Sequence, residues 1–314
     1  LTTKRHTQMI TNLETAPIVL DNNYLCPYCG ANLSILGEKE TDVEHVIGRR
    51  FLPKGFLDGE WNFIIRACKK CNGEKAKLEG GISVISLIDQ APAANVELRN
   101  ELKRKLGKKD AITGKFRGAN HPETNKPIAL SGIKENIEFS FSNFKVSVAL
   151  SGPPQAMKSE LLLSTYHIQG FYYLIANIES NDASLTKASS EKCLFLPSNL
   201  VVPLFSLKKT DWGNVSAQEL ISRTSSWETC FRLVTGKGFF KCIMRRDPSK
   251  SKSPIFWALE WNNNLRIIGM IREQGQPDMV EQNLPSAKFI NIDSSTRICE
   301  EIPLPEHDDT LFLI

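Results

Sequence analysis

The chain has 314 residues, which is long for a single hydrophobic core and favours about two domains. Charged residues make up 24% and hydrophobic residues 41%, so the chain can bury sizeable cores and is not disordered as a whole. No run of about 18 or more apolar residues and no charged-then-apolar leader occurs, so we expect a cytoplasmic protein without a membrane span or secretory signal.

The positive charge is concentrated in the N-terminal part. The net charge is only +4, yet residues 1–118 contain 19 Lys and Arg against 14 Asp and Glu, a net +5, whereas the remainder contains 20 against 21, a net −1. A basic surface favours binding to a polyanion, because counterions are released from the phosphates. The excess is compatible with a nucleic-acid partner, although a solvated basic face would give the same count.

The first ninety residues predict short strands followed by a helix. After a polar lead-in, the apolar runs "VEHVI" and "NFIIRA" predict two strands, with a loop rich in Gly and Pro between them. Helix-forming residues begin in "CKKCNGEKAKLEGG", where Gly80 and Gly81 predict the end of the helix. The expected order is therefore strand, loop, strand, helix.

Eight cysteines occur, and four of them form two C-x-x-C pairs, Cys26 with Cys29 and Cys68 with Cys71. In a chain without an export signal this spacing predicts a four-thiolate zinc site, since a tetrahedral ion needs two short loops that each direct two sulfurs inward. Four thiolates leave no open position for water, so the zinc would be structural. The scattered cysteines are predicted to be buried small hydrophobic residues: Cys193, Cys230, Cys242 and Cys299.

The stretch after residue 90 predicts a second helix and then a break. "NVELRNELKRKLG" has helical charge spacing, and residues 107–127 are rich in Gly, Pro, Lys and Asn with few large apolar residues. We predict that residues 107–127 form a linker or an exposed loop. The alternative is a basic arm that lies on nucleic acid.

The remaining residues, 128–314, predict a mostly antiparallel sheet. "IEFSFSNFKVSVALSG" alternates apolar and polar residues as a hairpin does, and "SELLLSTYHIQGFYYLIANI" predicts a buried helix. Aromatic and β-branched runs on either side of Gly-Lys-Gly and Asn-Asn-Asn predict further hairpins. His167 and His307 have no ligand-like neighbours in the sequence, so both are expected to be structural.

Four motifs follow one another between residues 20 and 80. They are Cys26-x-x-Cys29, Asp42-x-Glu44-His45, Asn62 and Cys68-x-x-Cys71-Asn72-x-x-Lys75. In order and spacing they resemble the HNH endonucleases with a ββα-metal fold. Glu44 stands where aspartate is more usual in that family, and Asn72 where many members have histidine.

The resemblance covers about residues 20–80, and with the patterns of the remaining residues it predicts an α+β fold in three parts. Residues 1–106 would form a zinc-stapled ββα-metal nuclease domain, and residues 107–127 a linker or basic loop. Residues 128–314 would form an accessory domain, mostly antiparallel β with one or two helices, for recognition, sensing or partner binding. The zinc would hold together a ββα unit that is too small to sustain its own core.

The resemblance also implies a division of chemical roles. Cleavage of a phosphodiester requires a base for the attacking water and a cation for the charge that develops on phosphorus. His45 would be the base, because an imidazole with a pKa of about 6.5 is largely neutral at cellular pH. Asn62 would hold the imidazole, directly or through the backbone. Glu44 and Asn72, with Asp42 as a second acidic ligand, would bind one Mg²⁺ or Mn²⁺ ion.

Basic side chains near these motifs are candidates for contacts with the nucleic-acid backbone, which would set the position of double-stranded DNA without reading its sequence. They are Arg49, Arg50, Lys69 and Lys70. Lys75 can reach a phosphate or anchor the loop. Structural roles compete with each assignment: His45 as a buried structural histidine, Asn72 as a helix N-cap, and Lys69 and Lys70 as solvent-facing charges.

The function expected from the resemblance is metal-dependent cleavage of DNA. By analogy, a nuclease followed by a larger accessory part resembles a bacterial restriction or phage-defence effector, whose second part recognises DNA, a modified base, a partner protein or an activating signal. Two alternatives stay open. One is a non-catalytic zinc-containing DNA-binding module, and the other is a nuclease that cleaves RNA. The sequence does not determine the oligomeric state.

Overall fold

The computed structural model describes residues 17–20, 22–88, 96–106, 108–109, 116–126, 128, 136–141, 144–149, 156–181, 195–249, 254–272, 282–286, 289–291 and 297–313. Within them the chain is a mixed α+β protein whose sheets are mainly antiparallel.

A small sheet and one long helix form the N-terminal unit. Its elements are β1 (Ile18–Leu20), α1 (Leu33–Leu36), β2 (Thr41–His45), β3 (Phe63–Cys68) and α2 (Lys69–Ile88). The strand order is β1-β3-β2, with β2 antiparallel and β1 parallel to β3. The predicted order of strand, loop, strand and helix is therefore confirmed.

Helix α2 continues through the two glycines, so the predicted stop at Gly80 and Gly81 is wrong. A Cβ atom on Gly81 would lie 2.7 Å from the carbonyl oxygen of Asn120 and 2.6 Å from Cδ of Pro122. Gly81 thus allows a neighbouring segment to pack directly on the helix backbone, at a helix-propensity cost of about 1 kcal/mol relative to alanine. The apolar run that follows the glycines is buried and extends the helix to Ile88.

The helix predicted after residue 90 is confirmed as α3 (Val96–Lys105). Two short antiparallel strands follow, β4 (Lys108–Lys109) and β5 (Phe116–Arg117). Residues 118–126 are exposed or half-buried, and this is where Asn120 and Pro122 contact α2. Whether residues 107–127 act as a linker, a loop or a nucleic-acid arm stays a prediction.

A hairpin and a long helix come next. Strands β6 (Asn136–Phe141) and β7 (Phe144–Ala149) pair in antiparallel fashion, as predicted. The predicted buried helix is α4 (Met157–Asn181), and most of its side chains from Leu163 to Ala176 are buried. None of the described helices combines the length and apolarity needed to cross a bilayer.

The largest sheet has five strands in the order β8-β12-β11-β10-β9, with every neighbouring pair antiparallel. Two of its turns are the predicted Gly-Lys-Gly and Asn-Asn-Asn segments, where residues 236–238 and 262–263 have positive φ. The elements of this part are β8 (Val201–Lys208), α5 (Val215–Arg223), β9 (Glu228–Thr235), β10 (Phe240–Arg246), β11 (Ile255–Trp261), β12 (Leu265–Ile271), β13 (Phe289–Asn291) and β14 (Arg297–Cys299).

Both faces of this sheet are covered. Successive residues of a strand point to opposite faces, so Trp257 and Trp261 of β11 enter one core while Phe256 enters another. The second core lies beneath α5 and the C-terminal segment, from which Leu311 and Phe312 are buried. The acidic and then apolar end of the chain therefore packs back on the sheet.

The first core contains side chains from before and after residues 107–127. Phe171 of α4 stacks on Phe231 of β9 at a centroid distance of 5.0 Å, and Trp61 from the loop before β3 lies beside both rings. Thr235 Oγ1 also donates a hydrogen bond to the Trp61 carbonyl at 2.8 Å. The predicted domain division at residues 107–127 stays a prediction, but the described residues on its two sides share one core.

Candidate functional site

The four cysteines of the two C-x-x-C pairs come together and could bind zinc. Their sulfur atoms all lie within 4.8 Å of one another. The Sγ of Cys68 is 3.8 Å from that of Cys26 and 3.7 Å from that of Cys29. A tetrahedral zinc with Zn–S bonds of about 2.3 Å requires sulfur separations of about 3.8 Å, so the donor set fits this metal.

Local structure explains how the four sulfurs meet. Cys26 and Cys29 lie in a tight turn closed by the hydrogen bond from Gly30 N to the Cys26 carbonyl, at 2.9 Å. Gly30 has a φ of 71°, in the left-handed region that favours glycine. Cys68 ends β3 and Cys71 lies in the first turn of α2, so the strand-to-helix junction supplies the other pair.

The close thiols favour one thiolate even without a cation. A hydrogen bond from Cys71 is the main cause that lowers the pKa of Cys26 to about 5, and the same bond raises the pKa of Cys71. Zinc binding here would displace the remaining thiol protons, so the affinity would depend on pH. Cys230 and Cys242 are buried away from this cluster, as predicted, whereas the side chains of Cys193 and Cys299 lie outside the described residues.

Glu44 lies in a buried ion cluster beside the cysteines. The residue is 4% exposed, and its side chain points from β2 towards α2. Its Oε1 lies 2.7 Å from Nζ of Lys75 and accepts a hydrogen bond from the Tyr28 hydroxyl at 3.0 Å. Burial raises the pKa of Glu44, and Lys75 opposes that shift. Asp42, two residues earlier on β2, is exposed.

Lys75 is 1% exposed and has three hydrogen-bond acceptors. Its Nζ lies 2.7 Å from Glu44 Oε1, 2.6 Å from Glu79 Oε1 and 3.1 Å from the carbonyl oxygen of His45. Burial lowers the pKa of Lys75, but the charges of Glu79 and Glu44 outweigh it, so the pKa is raised and the ammonium stays charged. Lys75 therefore anchors the loop after β2, and its buried ammonium does not lie at the surface where a phosphate would bind.

Glu79 belongs to the same cluster, although the sequence analysis did not identify it. Its Oε1 accepts from Lys75 and from the backbone N–H of Gly48 at 3.0 Å, and lies 3.4 Å from Nε2 of His167 on α4. Burial raises the pKa of Glu79, but the Lys75 charge and the His167 hydrogen bond outweigh it and lower the pKa to about 2. The i, i+4 spacing of Lys75 and Glu79 on a predicted helix could have indicated this ion pair from the sequence.

His45 occupies the last position of β2, on the sheet face opposite Glu44. It is half-buried and pairs with Ile64 of β3. Burial, followed by the charges of Arg49 and Lys75, lowers the pKa of His45, so the imidazole is neutral near pH 7 and can accept a proton.

Asn62 holds the backbone beyond His45. Its Oδ1 accepts from the N–H groups of Ile47, at 3.2 Å, and Phe63, at 2.8 Å, and its Nδ2 donates to the Ile47 carbonyl at 2.7 Å. The residue is 5% exposed, so these bonds are shielded from water. Asn62 therefore connects the segment after β2 to the start of β3. Its side chain bonds the backbone near His45 and not the imidazole itself.

The other candidate residues lie near the surface. Arg49, Arg50, Lys69 and Lys70 are exposed, the arginines in the turn after Gly48 and the lysines at the start of α2. Asn72 is half-buried and is the fourth residue of α2, so it is not the N-cap of that helix.

A second buried lysine holds the segment that follows the arginines. The Lys105 side chain is 8% exposed, and its Nζ donates to the carbonyls of Arg50, Phe51 and Leu52 at 3.0, 3.1 and 3.2 Å. Burial lowers the pKa of Lys105 to about 8. Helices α2 and α3 thus each contribute one lysine that binds backbone carbonyls of residues 45–52.

No protein-family model, no curated protein and no solved structure significantly matches this chain. The structure therefore defines a class of site and not a family: a mixed α+β chain in which four cysteines that could bind zinc lie next to a buried ion cluster.

Proposed function

We propose that the ββα unit within residues 1–106 is an HNH-type, metal-dependent endonuclease centre that hydrolyses phosphodiester bonds of DNA, with a structural zinc ion at the four cysteines. The observation that carries the proposal is the environment of His45. This imidazole is half-buried and its pKa is lowered. The backbone is held at His45 itself, by the Lys75 bond to its carbonyl, and two residues later, by the Asn62 bonds to Ile47.

In this proposal His45 accepts a proton from the water that attacks phosphorus. The bond between phosphorus and the 3′ oxygen breaks, and the leaving oxygen takes a proton from solvent. The exposed Arg49 and Arg50 follow His45 closely, so they can bind the phosphates that flank the scissile bond. Lys69 and Lys70 extend the basic surface at the start of α2.

The oxygen ligands proposed for Mg²⁺ or Mn²⁺ fit a metal only in part. Glu44 already binds the Lys75 ammonium at 2.7 Å, and Asp42 is exposed. A divalent cation at Glu44 would have to compete with that ammonium, because like charges close together in a buried site repel one another. The proposed roles of Glu44, Asp42 and Asn72 as metal ligands therefore require that nicking depends on Mg²⁺ or Mn²⁺.

The test is nicking of supercoiled plasmid in Mg²⁺ or in Mn²⁺. We expect the parent protein to nick the plasmid and the His45→Ala variant to lose at least about 100-fold in rate, the usual contribution of a general base. His307→Ala is the matched control, since that histidine side chain is 83% exposed, and it should retain the parent rate. A parent protein that leaves plasmid intact in both metals would overturn the proposal.

A second candidate is a non-catalytic zinc-containing module that binds DNA. The Glu44–Lys75 pair favours it, since a catalytic metal ligand would be expected to lack a buried ammonium partner. This candidate predicts salt-dependent DNA binding, weakened in the Arg49→Ala/Arg50→Ala variant, without nicking in either metal. An RNA-cleaving enzyme would instead cut a single-stranded RNA faster than the DNA of the same sequence.

The biological setting is proposed by analogy alone. A nuclease of this kind joined to a larger second part is compatible with a restriction or phage-defence effector, with residues 128–314 recognising DNA, a protein partner or an activating signal. The two parts share one core, which supports the proposal that the second part influences the conformation of the nuclease unit.

A further inference from the structure

One carboxylate oxygen connects three parts of the molecule. Glu79 Oε1 accepts from Gly48 N at 3.0 Å and from Lys75 Nζ at 2.6 Å, and it lies 3.4 Å from His167 Nε2. Gly48 follows His45 by three residues, and the same Lys75 ammonium donates to the His45 carbonyl at 3.1 Å. Glu79 is therefore bonded, directly and through one lysine, to both ends of the segment from His45 to Gly48.

The fit between Gly48 and Glu79 is close. A Cβ atom at position 48 would lie 2.0 Å from Glu79 Oε2 and 2.6 Å from its Cδ, far inside contact distance. No side chain larger than hydrogen fits there while Glu79 keeps its position. The carboxylate is thus in direct contact with the backbone of this segment.

His167 is fixed in place on the far side of Glu79. The side chain is 0% exposed, and its ring lies edge-on to Phe51, Phe240 and Trp261 at centroid distances of 5.5, 5.2 and 5.4 Å. Within the described residues Nδ1 has no hydrogen-bond partner, so the proton of the neutral ring belongs on Nε2, which faces Glu79. Phe240 and Trp261 come from β10 and β11, so the five-stranded sheet holds the donor in position.

We propose that Glu79 is a positioning residue for the segment from His45 to Gly48, and that His167 makes this positioning depend on how α4 and the five-stranded sheet pack. Through this chain of contacts the second half of the molecule sets the backbone at the end of β2. The effect on cleavage rests on the proposed function, whereas the effect on the segment itself does not.

Packing alone does not account for the arrangement. A pocket lined by three aromatic rings would accept an apolar side chain well, and buried ionic groups often add little to stability compared with apolar residues of the same size. Here the polar atoms point to one another and to backbone groups of one segment. A positioning role requires the polar atoms to point at this segment, whereas a side chain that only fills a core has no such requirement.

Two substitutions at His167 separate the two roles. His167→Gln keeps an N–H donor near the Nε2 position, and His167→Phe removes the donor but suits the aromatic pocket. Positioning predicts that His167→Gln resembles the parent and His167→Phe does not, whereas a packing role predicts the reverse order. Glu79→Gln, which keeps one oxygen acceptor and removes the charge, provides a second route if His167→Phe does not fold.

The first readout is amide hydrogen exchange, which does not require catalysis. We expect exchange at Gly48 to become at least about fivefold faster in His167→Phe and in Glu79→Gln, while amides in β11 change less than about twofold. Glu219→Gln, which changes a glutamate paired with Arg223 on α5, is the control and should leave Gly48 unchanged. Unchanged exchange at Gly48 in both test variants would overturn the proposal.

The second readout is the nicking assay. We expect kcat to fall about tenfold in His167→Phe with KM changed less than about twofold, because the exposed arginines that bind phosphate are untouched. Faster exchange at Gly48 without nicking by the parent in either metal would support positioning and reject the proposed function. If nicking depends on His45 but exchange at Gly48 is unchanged in both test variants, the proposed function is supported and the positioning role is rejected.

Discussion

Lys75 and Glu44 form a buried ion pair, with Nζ 2.7 Å from Oε1 and side chains that are 1% and 5% exposed. The pair joins the first turns of α2 to β2, and Glu79 completes it from one helical turn further on. A buried ammonium between two carboxylates is stable only while all three groups are present, since each compensates the desolvation of the others. The cluster therefore gives the ββα unit a polar core beside its cysteines.

Replacing Lys75 with methionine should destabilise the protein strongly. The change leaves Glu44 and Glu79 buried without their cation, and such a loss costs about 3 to 5 kcal/mol in the free energy of unfolding. Urea unfolding measures it, with Lys77→Met, an exposed lysine of the same helix, as the control. Equal stability of the two variants would show that the Lys75 ion pairs do not exist in solution.

Zinc should bind with a stoichiometry of about one ion per chain and should stabilise both halves together. Since the ββα unit shares a core with the five-stranded sheet, we expect Cys68→Ser to lose the metal and to lower the Tm of the whole described fold in one transition. Metal analysis and thermal unfolding measure this. Cys242→Ala, in the sheet, is the control and should retain the zinc; a metal-free parent would contradict the site.

Stability should fall on mild acidification because of His167. Burial lowers the pKa of His167 to about 4 from an ordinary value of 6.5, and Lys75 adds to this while Glu79 opposes it. Between these values the unfolded chain takes up a proton that the folded protein does not, so stability present above pH 6.5 is lost as the pH falls towards 4.

From pH 7.5 to 5.5 the loss from this one group should be about 1 kcal/mol. Urea unfolding at both pH values, in the parent and in His167→Gln, isolates it, because glutamine does not titrate. The same pH dependence in both proteins would mean that the histidine is not held neutral in the folded state.

Gly48→Ala should be harmful and Gly73→Ala harmless. The added Cβ at position 48 would meet Glu79 Oε2 at 2.0 Å, so Glu79 or the backbone must move, at a cost of about 1 to 3 kcal/mol. At Gly73, on the exposed side of α2, no described atom outside the adjoining helix backbone and the two neighbouring residues lies within 4 Å of the added methyl, and alanine is the better helix former. Thermal unfolding of the two variants compares them directly, and a neutral Gly48→Ala would show that Glu79 does not contact this backbone.

Local patterns determined much of this protein. The spacing within each cysteine pair predicted a metal-binding turn, and the alternation of apolar residues predicted the hairpins, because both depend on residues that are close in sequence or on the two-residue period of a strand. The prediction that the two pairs meet came from the chemistry of a four-thiolate zinc site. The order of β2, loop, β3 and α2 followed in the same way. The functional roles of His45 and of the proposed metal ligands remain proposals.

Tertiary packing decided the rest. The sequence predicted a helix stop at Gly81, whereas in the structure this glycine leaves the space that Asn120 and Pro122 occupy beside α2. His167 lies 88 positions from Glu79, and only the docking of α4 against α2 brings the two together. The packing of α2 against β2 makes Lys75 a buried anchor, bonded to Glu44 and to the His45 carbonyl, instead of a surface charge. Burial and long-range pairing depend on how whole elements pack, which no short window of sequence contains.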